Sequence, residues 1–347
     1  MQQLQEDLGE DFARQIQEWK RPQKSHFISR WAGIAEGASA DEIKKQFKPG
    51  TISIGTALKL IAELFQSKME RDKESDAQQK QRQGFPEFVR DFFVQQSGLQ
   101  SMAKKKLIDL LYFTMLENEK GSNAHPRIQL CFRLLGLQEK GNTSDEVENS
   151  VECVSFLLLL VQEIFPSWRY GAAFIKEFGN IRHTLPLEPV EYALDRVFLS
   201  KKYGGKVPER LLTIIQQSAD EVEKTQKKKV VTKASRPKQM MSDDIRSVDA
   251  DFVLNECHQE FLKLEHQATD LLLVKYNEVD DNRDGVLQYA EFCNFISQID
   301  SSMSQEEIME MYQECVGDDD VIDRGELFAL VTNRGLLFNL AVMNLED

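Results

Sequence analysis

Twelve residues near the C-terminus, Asp280 to Glu291, place oxygen-bearing groups at fixed intervals along the chain. Acidic or amide side chains take the first, third and fifth positions, a glycine takes the sixth, and a glutamate takes the twelfth. The groups that could supply oxygen ligands are Asp280, Asn282, Asp284, the carbonyl of Val286, Gln288 and Glu291. This spacing restricts the region to an entering helix, a tightly curled loop and an exiting helix.

The residue types in the loop suit a hard cation. Calcium binds six to eight oxygens at about 2.3–2.6 Å, and alternate side chains of a curled loop turn inward together. Gly285 stands where the chain must bend with positive φ, which a side chain would make costly. Glu291 closes the ligand set from the exiting helix, and Leu287 is expected to face the core. Apolar residues at helical spacing flank the loop, namely Leu272, Leu273, Tyr276, Val279, Phe292, Phe295 and Ile296.

A second helix–loop–helix should follow, but its loop lacks ligands. Ser304 and Glu307 have capping-box spacing and predict a helix start. When the loop is aligned as residues 315–326, Cys315 and Gly317 hold the first and third positions without a hard oxygen side chain. The weak second loop keeps as candidate ligands Asp319, Asp323 and Glu326.

The loss of one residue near the bend is an alternative alignment of the second loop. Asp318 and Asp320 then become the third and fifth ligands, while Val316 stands first and is not an acid. In both alignments we expect Ile322 to lie opposite Leu287 and to brace the first loop.

These motifs resemble a calmodulin-type EF-hand pair over residues 249–347, with one intact and one degenerate loop. The resemblance implies Ca²⁺ at one site, with Mg²⁺ as an alternative ion and a doubtful second site. It also implies a short two-stranded bridge between the loops.

Helical periodicity and helix breakers extend through the rest of the chain, so the expected fold class is all-α. We predict an irregular helical docking domain over 1–223, a basic linker over 224–248 and the EF-hand pair over 249–347. The predicted helices lie at about 53–83, from Pro86 onward, and at 101–118, 126–136, 145–165, 188–202 and 207–228. No stretch shows the alternation typical of a strand.

Charge is distributed unevenly along the chain. The net charge is −14, and the segment from Asp249 to the end holds 23 acidic and 5 basic residues. That segment therefore carries −18 and the remainder +4, which suggests two units with different roles. Residues 224–238 contain seven bases and no acid.

The basic run has two interpretations. It is either a solvated connection or a contact for a polyanion such as acidic tubulin tails, nucleic acid or an anionic membrane. The run contains no aromatic residue, which argues against a specific single-stranded nucleic-acid site. Its candidate partner contacts are Lys227, Lys228, Lys229, Lys233 and Arg236.

Several protein classes lack their usual signatures here. The N-terminus shows no basic and apolar segments of a secretory signal, and the longest apolar run, Val154 to Val161, is too short to span a bilayer. The five cysteines have no metal-site spacing, which favours reduced thiols in a cytosolic-type compartment. The five histidines are scattered, and no phosphate loop, HExxH motif or nucleophile elbow is visible.

The helical segments 85–93, 107–111 and 133–137 resemble modules of ciliary and flagellar proteins. That resemblance implies a structural protein of the axoneme, cytoplasmic and cytoskeletal, with tubulin, microtubules or an axonemal complex as partner. The resulting hypothesis is a non-catalytic calcium-binding scaffold or adaptor without a membrane span. The alternatives are a calcium-regulated enzyme with an unrecognised catalytic helical domain, and a nucleic-acid or membrane binder acting through the basic linker.

Overall fold

A computed structural model of the 347-residue chain describes residues 52–78, 80–137, 150–199, 203, 206–231, 246–316, 320–334 and 336–337. The other residues, including 1–51, lie outside the described part. Within the described residues the fold is mostly helical, with twelve α-helices and one two-stranded sheet. The all-α expectation is confirmed at this level.

The elements follow one another along the chain with short connections. The helices are α1 (Ile54–Ala77), α2 (Phe85–Ser97), α3 (Gln100–Asn118), α4 (Pro126–Leu134), α5 (Val151–Ile164), α6 (Ala172–Phe178), α7 (Leu187–Phe198), α8 (Glu209–Val231), α9 (Ala250–Val279), α10 (Tyr289–Ile299), α11 (Gln305–Cys315) and α12 (Arg324–Asn333). The strands are β1 (Thr184–Pro186) and β2 (Ser247–Asp249), and short 3₁₀ turns cover Gly121–Asn123 and Pro166–Tyr170.

Local signals set most of these helix boundaries. The Ser53 hydroxyl accepts a hydrogen bond from the Thr56 N–H at 3.2 Å and caps α1. Gly98 ends α2 in the left-handed region at φ 66°. Helix α6 and the 3₁₀ turns were not predicted from the sequence, because elements of seven residues or fewer show too little periodicity.

The sheet corrects the expectation that the chain has no strands. Strands β1 and β2 pair antiparallel, with buried Leu185 opposite buried Val248. The Leu187 N–H extends the pairing by donating to the Arg246 carbonyl at 2.9 Å. Three-residue strands are too short to show alternation in a sequence, and these two lie far apart along the chain. Residues 246–248, predicted as linker, are therefore part of a folded element.

Helix α8 runs three residues further into the predicted linker than the predicted helix at 207–228. The helix continues to Val231, so the first residues of the 224–248 segment are helical. Lys and Gln are good helix formers, and no helix breaker occurs before Pro237. Residues 232–245 lie outside the described part of the chain.

The chain separates into two compact units. The first comprises residues up to Ala193 together with Thr213–His258, and the second comprises Leu194–Leu212 together with Gln259–Asp347. These limits differ from the predicted divisions at 223 and 249. The prediction followed the change in charge composition, whereas the units follow packing, to which charge composition is only loosely related.

Aromatic packing forms part of the core of the first unit. The Phe165 and Phe178 rings meet edge to face at 5.2 Å, and Phe65 lies 5.6 Å from Phe178. These three side chains are buried, and they join α1 and α6 to the start of the 3₁₀ turn.

A buried ion pair fixes the first turn of α9 within the same unit. The Arg127 Nε lies 2.5 Å from an Asp251 carboxylate oxygen, and Arg127 also donates to the carbonyls of Phe178 and Asn180. Because the guanidinium is 3% exposed, loss of the Asp251 partner would leave a buried charge unpaired.

The second unit contains the segment with the predicted cation loop. The seven apolar residues predicted to flank that loop are all buried, from Leu272 and Leu273 through Ile296. The capping box of Ser304 and Glu307 is present, as expected, with the Ser304 N–H donating to Glu307 at 2.8 Å. None of the helices in the described part of the chain combines the length and apolar composition needed to cross a lipid bilayer.

Candidate metal centre

The backbone of the predicted loop bends where the sequence indicates. Helix α9 ends at Val279 and α10 begins at Tyr289, so Asp280 follows the entering helix directly. Gly285 takes φ 83°, the positive value expected at the sixth position. Arg283 also lies in the left-handed region, at φ 58°, which the sequence did not indicate.

Asp280 is the most enclosed of the predicted side-chain ligands. The residue is 5% exposed, and its Oδ2 accepts a hydrogen bond from the Gly285 N–H at 3.1 Å. Its Oδ1 is buried and has no hydrogen-bond partner among the described residues. A buried acceptor without a partner costs free energy, and it costs more when the group is charged. This oxygen is therefore the part of the loop that most needs a cation or another donor.

The next two predicted ligands shape the turn through bonds within the loop. The Asp284 N–H donates to Asn282 Oδ1 at 2.9 Å, and the Val286 N–H donates to Asp284 Oδ1 at 3.0 Å. The Asn282 amide also donates to Asp284 Oδ2 at 2.8 Å. These contacts hold the alternate positions of the loop in one curl.

The direction of the Val286 carbonyl follows from its neighbour. The Leu287 N–H donates to the Ile322 carbonyl at 2.8 Å. In a planar trans peptide the carbonyl and the N–H point in opposite directions. The Val286 carbonyl therefore points away from Ile322, as a ligand of its own loop would.

Glu291 reaches back from α10 to the start of the loop. One oxygen accepts from the Asp281 N–H at 3.2 Å, and the other accepts from the Gln288 N–H at 2.9 Å. Gln288 itself is exposed. The predicted closing ligand thus joins both ends of the loop through hydrogen bonds.

The predicted ligand set consists only of oxygen donors, which suits a hard cation. In the described residues no three or more His, Cys, Asp or Glu side chains gather as a ready metal cluster. The carboxylates of Asp284 and Glu291 instead accept hydrogen bonds from N–H groups of the loop. The ligand set made only of oxygens and the buried Asp280 Oδ1, which has no partner among the described residues, both fit a bound calcium ion.

The second loop is one residue shorter than the first. The Tyr276 hydroxyl donates to the Gly285 carbonyl nine residues later at 2.6 Å, and the Tyr312 hydroxyl donates to the Asp320 carbonyl eight residues later at 2.5 Å. Asp320 has φ 56°, the counterpart of the positive φ at Gly285. Asp320 therefore corresponds to the sixth position, not the fifth.

The shortening lies before the bend. Val316 follows α11 as Asp280 follows α9, and its N–H donates to Tyr312 at 2.8 Å in the same way. The first position is thus valine, in agreement with the alignment that assumes one lost residue. The residues between Val316 and Asp320, including the candidate ligand Asp319, lie outside the described part.

The end of the second loop repeats that of the first. The Asp323 N–H donates to Glu326 at 2.9 Å, and the Glu326 N–H donates to Asp323 Oδ1 at 2.8 Å. Two hydrogen bonds of 2.8 and 3.0 Å pair Leu287 with Ile322, which confirms the predicted bridge between the loops. Burial, with help from Glu326 and Asp323, raises the pKa of the Cys315 thiol to about 11, so the free thiol is protonated at neutral pH.

The predicted partner contacts are only partly placed. Lys227, Lys228 and Lys229 lie in α8, although the described part does not include their side chains. Lys233 and Arg236 lie outside the described residues altogether.

Two contributors to the loop were missed by sequence reasoning. Tyr276 was assigned to the apolar core, yet its hydroxyl binds the loop. The Arg324 guanidinium lies 5.2 Å from the centre of the Tyr276 ring and donates to Asn277 Oδ1 at 3.2 Å. A tyrosine four residues before the first position of each loop, Tyr276 and Tyr312, was the available signal.

Comparisons of the chain with known protein families, curated proteins and solved structures find no match. The residues of the two loops and their contacts are therefore what indicates a function.

Proposed function

We propose that this chain is a non-catalytic calcium-binding protein whose second unit acts as an EF-hand pair with one cation site. The observation that carries the proposal is Asp280 Oδ1, a buried acceptor that lies at the first position of an all-oxygen loop and has no partner within the described part of the chain. The bend at Gly285 and the Val286 carbonyl, which points away from Ile322, support the same assignment.

The cation would be held by the six predicted groups of loop one. It would supply two positive charges at the place where the loop concentrates acceptors. Asp280 is already oriented by the Gly285 N–H, and Asp284 by the Val286 N–H. Magnesium is a weaker candidate, because it demands near-octahedral geometry and keeps several waters. The ligand groups are Asp280, Asn282, Asp284, the Val286 carbonyl, Gln288 and Glu291.

The second loop would support the first without binding a cation of its own. Its first position is Val316, which has no oxygen side chain, and its sixth is Asp320 in a strained positive-φ conformation. The Leu287–Ile322 pairing gives it a structural role.

Calcium would act on the helices that flank the loop. Asp280 follows α9 and Glu291 lies in α10, so a cation shared by both would couple the ends of the two helices. Such a change alters apolar contact surface, which is how a scaffold or adaptor would respond to calcium.

The axonemal address and microtubule contact stay predictions from sequence resemblance. Cosedimentation of the full chain with microtubules, compared with a variant that has Gln in place of Lys227, Lys228, Lys229, Lys233 and Arg236, tests the basic run without cutting into α8. Equal cosedimentation of the two would reduce the run to a connection.

Calorimetric titration of the full chain tests the cation site. We expect one main calcium site, weakened roughly tenfold or more by Glu291→Gln because a ligand carboxylate is lost. Glu326→Gln is the matched control, since Glu326 makes the same capping contact at the end of the second loop. The control should leave affinity within a factor of about three of the wild type. No binding by the wild type at millimolar calcium would refute the proposal.

A further inference from the structure

Tyr276 stands where the two loops of the second unit meet. Its ring is buried in the last turn of α9, and its hydroxyl donates to the Gly285 carbonyl at 2.6 Å. Burial raises the pKa of this hydroxyl, against the opposing effect of Arg324, so the group stays protonated and remains a donor at neutral pH.

The Tyr276 contact fixes the peptide that immediately precedes the ligand-bearing Val286–Leu287 peptide. The Gly285–Val286 peptide is bonded at both ends, because its carbonyl accepts from Tyr276 and its N–H donates to Asp284 Oδ1 at 3.0 Å. The following peptide is fixed through the Leu287 N–H, which donates to Ile322. The Val286 Cα joins these two peptide planes, and the Val286 carbonyl belongs to the second of them, so the positions of both planes determine where that carbonyl points.

Arg324 connects the second loop to Tyr276. It is the first residue of α12, two residues after Ile322, and its guanidinium lies 5.2 Å from the centre of the Tyr276 ring. Its Nη2 also donates to Asn277 Oδ1 at 3.2 Å. A planar guanidinium suits this combination of ring contact and hydrogen bond, which an ammonium group matches poorly.

We propose that Tyr276 and Arg324 are positioning residues through which the second loop sets the calcium affinity of the first. Arg324 holds the Tyr276 ring, Tyr276 holds the Gly285 carbonyl, and the carbonyl ligand at Val286 is thereby preorganised. The inference rests on the proposed calcium site. It gives the shortened loop a second path of support beside the Leu287–Ile322 bridge.

The charge of Arg324 predicts the opposite effect. A positive side chain close to a cation site repels the cation, so its removal would tighten binding if charge alone mattered. If positioning dominates, its removal weakens binding, because the ligand must then be ordered on binding. The direction of the change therefore separates the two roles.

The test uses calorimetric calcium titration of the full chain with four variants, Tyr276→Phe, Arg324→Gln, Arg324→Lys and the control Tyr312→Phe. Tyr276→Phe and Arg324→Gln should each weaken affinity about three- to tenfold, the range for one hydrogen bond. Arg324→Lys keeps the charge and should still weaken binding. The control loses the equivalent hydroxyl bond to Asp320 and should leave affinity within about twofold.

Non-additivity gives a further readout that a general loss of stability would not produce. The double variant of Tyr276→Phe and Arg324→Gln should weaken binding less than the product of the single effects, because both act on the same carbonyl. Amide resonances of Gly285 and Val286 in the calcium-free protein should shift in both single variants and not in the control.

The possible failures are distinguishable. Binding by the wild type with unchanged affinity in Tyr276→Phe, or tighter binding in Arg324→Gln, overturns the positioning role and leaves the calcium site intact. An absence of binding by the wild type refutes the site and the affinity claim together. In that case the amide shifts still report whether the Arg324–Tyr276–Gly285 contacts exist.

Discussion

Replacing Asp280 by Asn should change stability in opposite directions with and without calcium. The wild-type carboxylate is 5% exposed, and its Oδ1 has no partner among the described residues. Asn keeps an oxygen to accept from the Gly285 N–H, while it removes the buried charge. The calcium-free variant should therefore be more stable than the wild type.

Asn still places a polar group at the Oδ1 position, so the gain comes from removing the charge there and is about 1–3 kcal/mol. We expect the calcium-free Asp280→Asn protein to gain an amount within that range. Calcium at about 1,000 times its Kd should stabilise the wild type by about 4.1 kcal/mol and leave the variant unchanged. The wild type then becomes the more stable protein.

Urea unfolding followed by circular dichroism, with chelator and with saturating calcium, measures both differences. Asp281→Asn is the matched control, because it removes the same charge from an exposed neighbour outside the predicted ligand set. It should stay within about 0.5 kcal/mol of the wild type and keep the calcium response. A calcium-free Asp280→Asn protein that is clearly less stable than the wild type would show that Oδ1 has a partner. A variant still stabilised by calcium would show that Asp280 is not a ligand.

Two further outcomes test the packing around the site and the buried histidine. Leu287→Ala removes a fully buried side chain at the bridge to Ile322. It should lower the free energy of unfolding, measured in urea, by about 2–5 kcal/mol and should weaken calcium binding. A decrease of less than about 1 kcal/mol would contradict the proposal that the bridge stabilises the first loop. Burial and the nearby Arg133 charge lower the pKa of His258 from 6.5 to about 3, so between those values the unfolded chain binds a proton that the folded chain does not. The free energy of unfolding should therefore decrease by about 2 kcal/mol between pH 7.5 and pH 5. His258→Phe should remove that part of the pH dependence. An unchanged pH dependence in the variant would refute the lowered pKa of His258.

Two sequence predictions, the bend at Gly285 and the pairing of Leu287 with Ile322, agree with the structure. The bend depends on residues within one loop. The pairing depends on residues at the same position of two similar loops. The second loop was harder to predict, because neither alignment placed both Val316 and Asp320 correctly. Only the two tyrosine–carbonyl bonds show that Val316 stands first and Asp320 sixth.

The domain boundaries and the role of the basic run were harder to predict from the sequence than the loop was. The segment 224–248 was predicted as a linker from its charge, with a helix only as far as 228. The helix reaches Val231, and residues from 246 are part of folded structure. A lysine-rich composition shows that a segment is well solvated, but it does not distinguish an irregular linker from a solvated helix, because lysine is a good helix former.

The sequence by itself determined the helical fold class and the chemistry of the Asp280–Glu291 loop, because helical periodicity and ligand spacing are local properties of a few consecutive residues. Only the tertiary structure decided that Asp280 Oδ1 is buried with no partner in the residues that the structure describes, and that Arg324 covers Tyr276. It also decided the pairing of β1 with β2 and of Arg127 with Asp251. These contacts join residues far apart in the chain, and they depend on how whole helices pack, which no local pattern encodes.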